Sequence, residues 1–330
     1  MKRVLFTALG WSAGGVIGWL ALRRVDWGEA IVGVRQVEWS VIFMAVAAVL
    51  FAHYLKAHRW KLLLPGEQIS AGRLFLMRNV GAALHTVSPV RGVSEIAQLT
   101  LLHRRDGIPA PKVVASFVVG HLLDLVVSAN MVAIGLVMLP AFAPYRPLVV
   151  GIAAGSAVLL LLTPFLARAI GKIGLVRRRR LVHETLAAIR SAQSSKRTLV
   201  ACMALTALGW AYIGLAAWMI ADAMGIGLPY WTVAVITVTI VRFAGVIPTP
   251  PALVGVYEAV AVAALGLFGV APPLALSFAL VTHAVIFVPP VLIGALVLVV
   301  ERSALFNAFD SLLAPLRQPR FRLQPQETPK

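Results

Sequence analysis

Arg91, Glu95, His121, Asp124, Arg242 and Glu258, with His85 and His283, are ionisable residues that stand inside apolar stretches of this chain. A charge within a bilayer is costly unless it is paired or hydrated, so each of them is a candidate for function. Glu95 and Glu258 each close a proline- and glycine-containing string, Pro89-Val-Arg91-Gly92-Val-Ser-Glu95 and Pro248-Thr-Pro250-Pro251-Ala-Leu-Val-Gly255-Val-Tyr-Glu258. Arg91 and Arg242 lie on the same two segments, and Asp124 follows His121 by three residues, on one helix face. A guanidinium fork matches phosphate oxygens, and the positive ends of half-helices would add to the attraction. Arg91 and Arg242 therefore suit an anionic head group, while Glu95 and Glu258 would carry protons or hold a cationic group. The plainer alternative is neutralisation of buried charge, with Arg91 against Glu95 and Arg242 against Glu258 or Asp124. His-x3-His and Glu-x2-His spacings are absent, so no metal site is indicated. Nor does the sequence carry a nucleophile elbow, a Gly-rich phosphate loop or a Walker motif, and no cofactor is implied.

The elements that must position these residues follow from composition. Of 330 residues, 60% are hydrophobic and 13% charged, far from the roughly half apolar and quarter charged make-up of soluble domains. Crossing a hydrocarbon core of about 30 Å takes about 20 apolar helical residues, and residues 4–22, 39–55, 113–139, 148–166, 199–220 and 274–300 predict six spans. The first is too long for a signal peptide and lacks a small-residue cleavage pattern before Arg23-Arg24, so it is read as retained. Gly10, Gly14 and Gly18 fall on one face of it, where another helix could pack closely. Cys202 is alone, which excludes a disulfide framework. The net charge of +17 is spread over connections between spans rather than gathered on one soluble face, which argues against nucleic acid as a partner.

Two further apolar stretches, 74–102 and 230–268, are broken near the middle by Pro, Gly and charged residues. If each is a hairpin that returns to its own side, 24 of the 30 basic residues fall on one face, as the positive-inside rule requires of the cytoplasm. Each half of the first has about 14 residues, or about 21 Å of helix, which fits a re-entrant pair of half-helices. The likeness between the hairpins continues downstream, through Gly107-Ile108, Ser116-Phe117 and His121 in one and Gly269-Val270, Ser277-Phe278 and His283 in the other. Two copies of one unit, over about 74–139 and 230–300 and of opposite orientation, are the layout of many secondary transporters.

These strings resemble the transmembrane region of lysylphosphatidylglycerol synthases and their stand-alone flippase-like relatives, including members associated with hopanoid and glycolipid pathways. That family carries a Pro-x-Arg-x-Gly-Glu type string in a first hairpin, an Arg-x-x-Asp in the next helix and Pro-x-x-Pro-Gly-Gly-x-Gly-x-x-Glu in a second hairpin. Here these look like Pro89 to Glu95 with Gly92, His121 to Asp124, and Pro248, Pro251, Gly255 and Glu258. Ala252 and Leu253 stand where the family usually has Gly-Gly, His121 and Gln98 where it has Arg, and two residues are inserted between Gly92 and Glu95. The resemblance implies a membrane-lipid substrate, to which the residues add a phosphate-bearing head group at Arg91 and Arg242. Pro89, Gly92, Pro248, Pro251 and Gly255 are expected to hold the broken backbone. The soluble aminoacyl-transfer domain of the full synthases is not expected, so neither is lipid synthesis by this chain alone.

The expected architecture is all-α and polytopic: one transmembrane domain over 1–302, a basic cytoplasmic loop at 168–198, and a tail at 303–330 that is amphipathic and then disordered. The expected function is flippase-like lipid transport in the inner (cytoplasmic) membrane with both termini cytoplasmic. Its rivals are an intramembrane lipid-modifying transferase using Glu95 or Asp124 as general base, and a non-transporting partner of a lipid-biosynthesis enzyme.

Overall fold

The computed structural model describes residues 25–87, 92–138, 146–171, 180–192, 195–246 and 251–301, together with Pro144 and scattered positions between 12 and 23. Within them the chain forms eleven α-helices and one 3-10 turn, and no strand. The helices are α1 (Trp27–Arg35), α2 (Trp39–Leu62), α3 (Ala71–Val87), α4 (Val93–Arg104), α5 (Ala110–Met138), α6 (Arg146–Gly171), α7 (Arg180–Ala192), α8 (Lys196–Ala223), α9 (Tyr230–Val246), α10 (Val256–Gly266) and α11 (Pro272–Val300). Five of them, α2, α5, α6, α8 and α11, contain stretches long and apolar enough to cross a membrane. These correspond to five of the six expected spans, and the sixth, 4–22, lies largely outside the described residues, as does the tail. The all-α polytopic fold read from composition is the fold observed.

Each interrupted stretch is a pair of helices. The first half-helices, α3 and α9, have 17 residues each; the second, α4 and α10, have 12 and 11; and the helices that follow, α5 and α11, have 29 each. The second half-helix starts in both cases at a glycine with positive φ, Gly92 at 92° and Gly255 at 82°. Only glycine adopts that backbone without steric cost, which is why the break falls there. The tip of the second pair is the 3-10 turn Pro251–Leu253, where Ala252 and Leu253 hold φ of 59° and 61°. Helix α3 packs against this turn, so the two pairs meet.

Small residues bring the helices close. A Cβ on Gly294 of α11 would lie 2.0 Å from the Asn79 carbonyl oxygen of α3, and one on Gly209 of α8 would lie 3.2 Å from the Lys56 side chain of α2. Such close backbone approach supplies van der Waals contact where lipid leaves little hydrophobic drive. The glycine face expected on the first span has one described contact, Gly18 against the backbone of Gly255. Part of the basic segment 168–198 forms α7, which packs on α5 and α6 and buries Ile189.

At the ends of α3 and α11, Arg73 spans two carboxylates. Its guanidinium makes a fork with Asp106 at 3.1 Å and also binds Glu301, which accepts from Arg105 at 2.8 Å. Lys112 and Glu67 pair nearby at 2.5 Å.

Candidate functional site

A cluster of cations from three helices, α2, α3 and α9, lies inside the helix bundle around Asp124 of α5. Arg59 of α2 donates from Nη2 to Asp124 Oδ2 at 3.0 Å and from Nη1 to the Thr206 hydroxyl of α8 at 3.0 Å. Lys56, one turn earlier on α2, sits 3.6 Å from Asp124 Oδ1. Arg242 of α9 donates from Nη2 to the main-chain oxygen of Asp124 at 2.7 Å. Arg78 of α3 brings a third guanidinium within electrostatic reach of Asp124, Arg59 and Arg242. Lys56 and Arg59 are 3% and 4% exposed, so neither charge is discharged into solvent. Trp210 of α8 holds two of the cations against its ring, Lys56 Nζ at 3.8 Å and the Arg242 guanidinium at 4.7 Å from the centroid. This ring attraction favours a cation without neutralising it.

Three guanidiniums and an ammonium thus surround one carboxylate among the described residues. The hydrogen-bond accounting is equally lopsided. Arg59 Nε, Arg78 Nε, Arg242 Nε, Trp210 Nε1 and His53 Nδ1 are buried without a partner, against two acceptor oxygens, Asp124 Oδ1 and Asn79 Oδ1. Buried polar groups are ordinarily satisfied, and each exception asks for an explanation. Unsatisfied N–H donors and surplus positive charge at one place describe an acceptor-rich anion site.

A second constellation ties each glutamate to a histidine. Glu258 closes the first turn of α10, its Oε2 accepting from Gly255 N–H at 2.7 Å. Its Oε1 lies 2.6 Å from His283 Nδ1, and His283 Nε2 lies 2.8 Å from the Ala252 carbonyl oxygen. A carbonyl only accepts, so Nε2 carries a hydrogen; a single proton then sits on the Nδ1 to Oε1 contact, and the pair is neutral overall. Tyr257 stacks on His283 at 4.4 Å, and Phe287 meets the imidazole edge-on at 4.9 Å. The equivalent Glu95 accepts from Ser94 at 2.5 Å and lies 3.8 Å from His121 Nε2, with side-chain exposures of 41% and 71%. The same pairing thus occurs closed and buried in one hairpin, loose and open in the other.

Of the residues singled out in sequence, Asp124 and Arg242 come together, and Glu95 and Glu258 each find their downstream histidine. Pro89, Arg91 and Pro248 lie outside the described residues, and of Pro251 only the backbone is described. His121 and Asp124 do not form one site: three residues apart, they diverge, His121 to the exposed side and Glu95, Asp124 to the cations. Arg242 does not pair with Glu258, whose partners are Gly255 and His283. His85 is exposed. The 24 basic residues assigned to one face include Lys56, Arg59 and Arg78, and these three lie instead in the cluster, Lys56 and Arg59 buried and Arg78 half-buried. The signal that could have found them was the pairing demand of Asp124, a lone acid within an apolar run that needs a cation on a neighbouring helix. Among the described residues no group of three metal-ligating side chains converges.

The family model of the lysylphosphatidylglycerol synthase TM region matches residues 4–294. A search of curated proteins finds no match.

Proposed function

Because the chain belongs to the lysylphosphatidylglycerol synthase transmembrane-region family, we propose that it moves a lipid or lipid-linked molecule with an anionic head group between the two leaflets of the membrane. The observation that carries this reading is the cation-rich cluster around Asp124. A lipid head group can cross a hydrocarbon core only if the protein replaces the water it leaves, and unpaired guanidinium N–H groups do that for phosphate oxygens.

The moving parts are the two hairpins, read as the tips of an inverted repeat. Their matched lengths and glycine starts support the repeat. His121 and His283 each stand eleven residues into a 29-residue helix, or about 16 Å from its start at 1.5 Å per residue. If the copies enter from opposite sides, both Glu–His pairs reach the same depth near the midplane. The closed pair at Glu258 then latches the second hairpin through Ala252, while the open pair at Glu95 leaves the first free. Exchange of the two states would expose the cluster to each leaflet in turn. The membrane is taken as the inner membrane, with both termini cytoplasmic. The transferase reading loses support from Asp124, whose carboxylate is engaged by Arg59 and Lys56 rather than free to act as a base.

The test is leaflet movement of fluorescent anionic, cationic and neutral lipids in proteoliposomes of the full chain. Faster movement of anionic lipid than in protein-free vesicles is expected. Movement no faster than in empty vesicles for every lipid would overturn the transport reading.

A further inference from the structure

The charge count of the cluster deepens that reading, on which it rests, by specifying the head group. Lys56, Arg59, Arg78 and Arg242 face Asp124 alone among the described residues, so the guanidiniums outnumber the carboxylate by two even before Lys56 is counted. A phosphodiester brings one negative charge, whereas a phosphomonoester brings about −1.5 to −2 at pH 7. With a diester in place, surplus positive charge would stay buried, and uncompensated buried charge is costly. The donor geometry agrees. Three guanidiniums each leave Nε–H unpartnered, and Trp210 adds an indole N–H. A terminal phosphate presents three free oxygens to such a ring of donors; a diester presents two, with its other oxygens esterified. We propose that the head group this cluster accepts ends in a terminal phosphate, a phosphomonoester or diphosphate carrying at least two negative charges, in place of the singly charged diester of ordinary glycerophospholipids.

Binding in detergent tests this without leaflets, so it fails or succeeds separately from transport. Purified full-length protein is titrated at pH 8 with phosphatidic acid, phosphatidylglycerol and phosphatidylcholine of identical acyl chains, and with inorganic phosphate as a soluble probe. The monoester is expected to bind about tenfold or more tightly than the diester, phosphatidylcholine most weakly, and inorganic phosphate is expected not to compete at the same concentrations. Arg78→Gln and Arg242→Gln, each confirmed as folded by thermal unfolding, should shrink the monoester preference, and Arg78→Lys, which keeps the charge but not the fork, should retain the larger part of it. Equal affinity for monoester and diester, or an unchanged preference in both folded glutamine variants, would overturn the proposal. Competition by inorganic phosphate as strong as by phosphatidic acid would overturn it as a lipid site and make it a free-phosphate site.

Discussion

At the ends of α3 and α11, Arg73 and Arg105 face Asp106 and Glu301, two cations against two carboxylates. Within the bundle, Lys56, Arg59, Arg78 and Arg242 face Asp124 alone among the described residues. Both groups join helices distant in sequence, and both contain arginine forks. They differ in what is left over. The first cancels, and Arg73 has hydrogen-bond partners at Nε, Nη1 and Nη2. The second keeps surplus charge and unpartnered N–H donors. A balanced network is what fixing helix ends requires; an unbalanced one is what the proposed head group would complete.

Asp124→Asn should break this contrast most severely. Four cations would face one another without a counter-charge, and breaking a buried pair by removing one partner costs about 3–5 kcal/mol. The thermal unfolding temperature of the purified variant should fall sharply, and the double variant Asp124→Asn with Arg59→Gln should recover part of the loss. A smaller effect is expected from the glutamates. Glu258→Gln removes the neutral proton-sharing arrangement with His283 and weakens the cap at Gly255, each bond being worth on the order of 1–2 kcal/mol. Glu95→Gln, at the open pair, should shift the unfolding temperature less. Equal shifts would mean that the two pairs do not differ as their geometry indicates. The smallest effect should be a gain: Ala252→Gly relieves a left-handed backbone that costs an L-residue about 1–2 kcal/mol, less the added freedom of glycine in the unfolded chain. A modest rise in unfolding temperature is expected, with the His283 contact to the 252 carbonyl intact.

The elements were largely legible in the sequence, and the site only in part. Runs of 18 or more apolar residues can hardly be anything but spans, and Gly92 and Gly255 mark the hairpin breaks because the chain there adopts a conformation reserved for glycine. Ala252 and Leu253 adopt the positive φ that the family's usual Gly-Gly would supply, so the hairpin keeps its shape through tertiary contacts, including the His283 bond to the Ala252 carbonyl oxygen. Asp124 and Arg242 stood out because they interrupt apolar runs. Lys56 and Arg59 did not, because they follow the apolar run 39–55 near the end of α2, where a basic side chain ordinarily reaches for the interface. Only their contacts with α5 and α8 turn them inward. Charge balance is a property of the assembled bundle, and no single segment displays it.

The most direct measurement compares Arg59→Gln with Arg73→Gln in the same proteoliposome assay at matched reconstitution. If the unbalanced cluster is the head-group site and the balanced network a fastening, Arg59→Gln should lower the rate of anionic-lipid movement by about a hundredfold, or about 2.7 kcal/mol, while Arg73→Gln lowers the unfolding temperature and leaves the lipid preference unchanged. Wild-type rates in a correctly folded Arg59→Gln protein would contradict the assignment of the cluster to the transported lipid.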